Sequence, residues 1–348
     1  QRGAEIAAIE GILHARKCDD QVGEWLSNIN DESLDEIPKA QLREIKRSFE
    51  RAKKVPGDLA QKIARTTSVS QGKWATARAD NNFSAFVPVL EEVLKLKREE
   101  GQALATNADL YDTMLIDYEP GATADKLSKM FGALRPGLVE LRGAILEKEP
   151  AEKLQGSFDE VTQIKISSLL AETFGYDLKR GRIDKAVHPF SSGSGQDVRI
   201  TTRTNLHDPF NCFYSTIHEV GHGSYEQNID PKYSLTAIGQ GASMGVHESQ
   251  SRIYENQLGR SRAFTAWLFM QMKQYFGDFG IRDADEFYKT VNSVNKGFIR
   301  TEADEVQYNL HVLLRFDLER ALVSGDLLVK DLESAWNDRF YQDFGYNV

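Results

Sequence analysis

Cysteine is nearly absent: Cys18 and Cys212 stand far apart in 348 residues. Two thiols so separated build neither a disulfide framework nor a cysteine-based zinc site, and they suit a reducing compartment, so a cytoplasmic location is expected. Long apolar runs are missing as well. The best stretch, Ala263 to Met272, falls short of the roughly 18 residues that a membrane-spanning helix requires. Residues 1–20 hold no continuous apolar core of the kind a secretory signal needs. Positive charge is in deficit, with 43 Lys and Arg against 52 Asp and Glu and a formal net charge of −9. Such a chain repels phosphates, so neither nucleic acid nor a membrane is expected as a partner. Glycine (26) and proline (9) are too scarce for a collagen-like or low-complexity chain. What is present, 41% hydrophobic and 27% charged residues, is a globular composition, and the length suits two domains or one large one.

The pattern along the chain is mainly helical. Phe83, Phe86, Val87, Leu90, Val93, Leu94 and Lys97 step by three and four, with Glu91, Glu92, Lys95 and Arg98 opposite, which predicts an amphipathic helix. Similar periodicity covers 110–118 and 127–146, with breaks predicted at Pro120-Gly121 and Pro136-Gly137. Near residue 181 the texture changes. His188 to Gly195 reads as loop, and Val198, Ile200 and Thr202 then alternate with Arg199, Thr201 and Arg203, a short strand. Helical patterns resume at about Phe210. This divides the chain into a helical scaffold or groove wall, 1–180, and a metal-binding region, 181–348, within what reads as one continuous fold.

His218-Glu219-Val220-Gly221-His222 is an H-E-x-x-H sequence. Residues four apart on a helix turn through about 400°, so the two imidazoles share a face and can bind one divalent ion. Glu219 is offset by about 100° and can reach a water beside that ion. Gly221 and Gly223 are poor helix formers, and a bare backbone there would allow close packing behind the site. The bland alternative is a helix with two hydrogen-bonded histidines. Tyr225 and Asn228 replace the Gly and His that a metzincin needs. Glu248 lies 26 residues after His222, at the start of another helical pattern. That interval leaves room for a loop and a return helix carrying a third ligand. Glu255 and Glu302 are weaker competitors. Two His and one Glu would leave a fourth position open, the catalytic zinc arrangement.

The chain resembles the M32 metallocarboxypeptidases, the family of the thermostable Taq carboxypeptidase. The resemblance rests on five motifs in order: His188-Pro189-Phe190, Asp197 to Thr201, the H-E-x-x-H at 218–222, His247-Glu248-Ser249-Gln250, and Ile299 to Glu305. The dense match spans about 188–311, with weaker likeness elsewhere, including Trp74 to Leu96. The resemblance implies an elongated, mainly α, neurolysin-like gluzincin with a small β-sheet beside the active-site groove. It implies removal of single residues from free peptide C-termini by metal-activated water, and commonly a homodimer. It assigns His218, His222 and Glu248 to the metal, Zn2+ or alternatively Co2+, and Glu219 to general acid/base work. The family's C-terminal G-x-x-Q-D-x-H-W motif and its first helices have no counterpart, and the first residue is Gln1. The chain therefore reads as an interior portion of such a protein.

An exopeptidase needs a cation for the substrate's terminal carboxylate, and Arg is suited by its planar fork. Arg300 is the first candidate and Arg199 the second. His247, His188 and His311 are candidate donors to substrate. Strand 198–202 could pair with an extended peptide backbone. Glu302 and Asp304 are candidates to orient the ligand imidazoles. Two other readings stand beside this one. An endo-acting metallo-oligopeptidase would use the same chemistry, and a helical fragment or scaffold would hold a catalytically incomplete site.

Overall fold

In a computed structural model, residues 1–105 and 109–348 are described. The helices are α1 (Arg2–Lys17), α2 (Asp20–Ser27), α3 (Glu36–Lys54), α4 (Gly57–Ala79), α5 (Phe83–Leu104), α6 (Leu110–Leu115), α7 (Ala124–Leu146), α8 (Glu160–Thr173), α9 (Pro209–Gln227), α10 (Met244–Arg252), α11 (Arg262–Phe276), α12 (Ala284–Val291), α13 (Glu305–Ser324) and α14 (Leu332–Phe344). The strands are β1 (Ile183–Lys185), β2 (Ser191–Ser194) and β3 (Asp197–Thr202). The fold is thus mainly α with one small sheet. Several helices begin at capping side chains: those of Asn82, Asp159, Asp208 and Ser243 each accept from a backbone N–H of the first turn, satisfying a donor that the helix leaves unpaired.

Compact packing divides the chain into 1–136 with 310–348, and 137–309, rather than at residue 180. In the first unit α1 packs along α4, and α4 against α5. Arg135 holds both oxygens of the buried Asp343 at 3.0 and 2.8 Å and reaches Asp317 at 2.6 Å, so that carboxylate is charge-paired. Phe340 and Phe344 stack at 4.2 Å with His311 against them.

In the second unit Phe158, Ile166, Leu170, Phe213, Ile217, Leu268, Met272, Phe279 and Phe287 form one solvent-free core. The sheet has the order β1-β3-β2. β1 runs parallel to β3 with Ile183 opposite Ile200, and β2 runs antiparallel with Ser191 opposite Ile200. β3 keeps the predicted alternation only over its first half, burying Val198 and Ile200 and exposing Arg199; Thr201 is buried along with Thr202. Because β3 is flanked on both sides, it cannot be the strand that accepts a peptide backbone. β1 and β2 escaped the sequence reading because one has three residues and the other is Ser and Gly, without apolar alternation. The predicted break at Pro136 is also absent: α7 runs through it, giving up the hydrogen bond that a proline nitrogen cannot donate. No helix among the described residues is long and apolar enough to cross a membrane.

Candidate metal centre

α9 is started by Asp208, whose carboxylate accepts from Phe210 N at 3.1 Å, and by Pro209, preset for a first helical turn. Cys212, Phe213, Ile217 and Val220 bury one side of it completely. Its glycines do what the sequence suggested. A β-carbon added at Gly221 would stand 2.5 Å from Ser251 Cα, and one at Gly223 would stand 2.8 Å from the Tyr176 ring. α9 and α10 therefore meet backbone to backbone, and Glu248, one turn before Ser251, is brought to the two imidazoles.

Ligand atoms of His218, His222 and Glu248 all lie within 4.8 Å of one another. Glu248 Oε2 is 3.2 Å from His222 Nε2 and 3.6 Å from His218 Nε2. The far nitrogen of each imidazole is tied down. His218 Nδ1 is 2.8 Å from Glu255 Oε2. His222 Nδ1 is 2.7 Å from His247 Nδ1, and His247 Nε2 is 2.8 Å from Glu226 Oε1. Glu248 also accepts from Ser251 Oγ at 3.0 Å and from Arg252 Nε at 3.2 Å.

Burial pushes the Glu248 carboxyl up, but a hydrogen bond from His222 and the charges of His218 and Arg252 outweigh it and hold it at about 2. Glu219 goes the other way. It is 6% exposed, and burial pushes it up to about 7, with Glu248 and Glu255 adding and His218 opposing. Two carboxylates in one site are thus driven apart, one kept ionised and one able to hold a proton near neutrality. Burial also disfavours the charged form of His218, yet the bond to Glu255 and the surrounding carboxylates leave its pKa raised.

A cavity of about 660 Å³ opens onto His218, Glu219 and Glu248, and His188, Arg300 and Tyr308 also line it. Arg300 NH1 donates to Tyr308 Oη at 2.5 Å, and among the described residues no carboxylate pairs with it. Arg199 lies outside this lining, exposed, and paired through two nitrogens with Asp197 at 2.9 and 2.8 Å. His247 has both ring nitrogens engaged, so neither is left for a substrate. His311 is fully buried in the other unit.

The carboxylates in contact with the two imidazoles differ from those expected to orient them. Glu302 pairs with Arg203 at 3.1 Å, and Asp304 accepts from Val306 N and Gln307 N at the start of α13. The carboxylate on His218 is Glu255. It follows Glu248 by seven residues, a one-face spacing that was the available signal, and it sits in a π-helical turn, Ile253–Leu258. Glu255 is in turn held by Arg252 at 3.1 Å and Arg260 at 3.6 Å. Arg252 lies 3.6 Å over the Tyr308 ring, a stacked position that sequence spacing does not announce.

A family description, "Carboxypeptidase Taq (M32) metallopeptidase", matches residues 1–348. The chain is 36% identical over 362 aligned residues to thermostable carboxypeptidase 1 of Thermus thermophilus, covering 99% of this chain and 71% of that protein. It is 35% identical to thermostable carboxypeptidase 1 of Pyrococcus furiosus, covering 90% of this chain and 64% of that one. The crystal structure of an M32 carboxypeptidase from Deinococcus radiodurans R1 superposes with a TM-score of 0.91 at 36% identity, over 97% of this chain and 69% of that one. The fold and the site thus define a helical metallopeptidase. The chain belongs to the M32 metallopeptidase family, and it spans about two thirds of the length of these relatives. A metallopeptidase implies a divalent ion, and among the described residues His218, His222 and Glu248 are the group with ligand-like spacing.

Proposed function

We propose that the chain carries the catalytic centre of a carboxypeptidase that removes single residues from free peptide C-termini. The observation that carries this reading is the company of Arg300. A guanidinium with no carboxylate partner among the described residues lines the same cavity as a buried Glu219 and the His218/Glu248 pair. Such a fork matches a terminal carboxylate bidentately.

His218, His222 and Glu248 would hold the ion. Two imidazole nitrogens and one carboxylate, with both far nitrogens already tied, are a donor set that fits zinc. When bound, the ion supplies Lewis acidity toward a water and the scissile carbonyl. Glu219 accepts the proton of the attacking water and returns it to the departing amine. Tyr308 steadies Arg300, which anchors the substrate's end and so selects the last peptide bond. Zinc as the ion and a homodimer belong to this proposal through the family resemblance, and a cytoplasmic location through the scarcity of cysteine.

The test is mass spectrometry of one peptide, with free and with amidated C-terminus, after incubation with the chain and Zn2+ or Co2+. Stepwise loss from the free form alone is expected. Internal cuts in both forms would assign the site to an endo-acting oligopeptidase. Two untouched peptides would make this chain a scaffold or an incomplete enzyme.

A further inference from the structure

The two imidazoles proposed as ligands are supported unequally. His218 rests directly on a carboxylate, with Glu255 Oε2 at 2.8 Å from its Nδ1. His222 reaches a carboxylate only through a second imidazole, by the contacts of 2.7 and 2.8 Å through His247 to Glu226. A close contact between two ring nitrogens holds one proton, so one ring donates and the other accepts. The order is set at the ends. Nε2 of His222 is the atom that faces Glu248; for its lone pair to be available, the ring's proton must sit on Nδ1 and be donated to His247. His247 Nδ1 then accepts, which puts the His247 proton on Nε2, where Glu226 accepts it.

The His247 ring has little freedom to do otherwise. The Tyr225 ring lies 4.7 Å from it at 40°. On another side Gly241 comes so close that a β-carbon there would stand 2.8 Å from His247 Cδ2. Tyr225 is itself tied, its hydroxyl accepting from Ala242 N at 3.2 Å. A ring clamped in this way can present Nδ1 to His222 and Nε2 to Glu226 without flipping.

We propose that His247 is a positioning residue: it relays the Glu226 carboxylate to His222, fixing the proton on His222 Nδ1 and the orientation of Nε2 toward the ion. This rests on the metal reading above, and it removes His247 from the substrate-contacting set. The relay predicts that what matters at position 247 is an acceptor toward His222 joined to a donor toward Glu226. Gln can supply both, whereas Leu supplies neither.

The experiment compares the unaltered chain with His247→Gln, His247→Leu and Glu226→Gln. Zinc affinity is read by competition with a chromogenic chelator, and the thermal midpoint of each metal-free protein is measured alongside. His247→Leu is expected to weaken zinc binding by about 10- to 100-fold, the usual loss when an outer partner of a ligand is removed. His247→Gln should recover most of that loss, and Glu226→Gln should fall between. Long-range 1H–15N correlation on the zinc-loaded chain should show protons on His222 Nδ1 and His247 Nε2, with His247 Nδ1 bare. A protonated His247 Nδ1 overturns the relay. So does native zinc affinity in His247→Leu, or an affinity loss in all variants that merely follows their thermal midpoints. Failure of the unaltered chain to take up zinc would instead overturn the metal reading on which the relay rests.

Discussion

Residues 137–309 and the first four helices are packed in different ways. Around the site, aromatic and aliphatic side chains from α8, α9, α11 and α12 see almost no solvent. On α1 to α4, by contrast, Ile9 and Ile12 are 66% and 67% exposed, and Trp25 and Trp74 are also largely open. Ligand atoms must be held to a fraction of an ångström, and only a close-packed surround with no room to relax does that. Helices that carry no chemistry are under no such demand. The contrast is one of tolerance: the same small change should cost much in one region and little in the other.

The largest effect is expected at Glu248→Ala. It removes a proposed ligand rather than a support, so zinc affinity should fall by more than the about 100-fold that loss of an outer partner costs, read by equilibrium dialysis with metal analysis. Retention of native metal content would dissolve the site. Next, Glu219→Gln should keep the metal and the thermal midpoint while turnover drops by about 10²- to 10⁴-fold, measured on an unblocked peptide. Metal loss in that variant would make Glu219 a ligand. The comparison itself is sharpened by one substitution made twice. Gly221→Ala puts a methyl 2.5 Å from Ser251 Cα and should destabilise by about 1–3 kcal/mol. Gly72→Ala on α4 meets nothing within 4 Å and should stabilise by about 0.5–1 kcal/mol through backbone entropy. Denaturant midpoints decide it, and equal effects would break the contrast. The smallest change is expected at Ile9→Ser, within about 0.5 kcal/mol, by the same measurement.

How much of this was legible beforehand varies with how local the cause is. The H-E-x-x-H spacing names two imidazoles and Glu219 because a helix turn is a local fact, and the interval to Glu248 allows a returning helix. Glu248 was the carboxylate favoured for the return, with Glu255 and Glu302 as weaker competitors; what the sequence does not record is the close meeting of Gly221 with Ser251 that brings Glu248 to the imidazoles. β1 and β2 were not legible, because three-residue and Ser/Gly strands exist only through pairing with β3. The roles of Glu226 and His247 depended on ring contacts across two helices, which no periodicity records. Arg199 and Arg300 looked alike as lone cations in motifs. An aspartate two residues away occupies the first, while a tyrosine hydroxyl is the second's partner.

The meeting of α9 with α10 at Gly221 also bears on how an ion would arrive. Helices in backbone contact have no side-chain cushion to compress, so His218, His222 and Glu248 should behave as one cradle. Much of the ordering entropy that a floppy site spends at the moment of capture has then been spent during folding. Uptake should be governed by shedding the ion's water shell, and a ligand triad that cannot spread will discriminate among ions by radius.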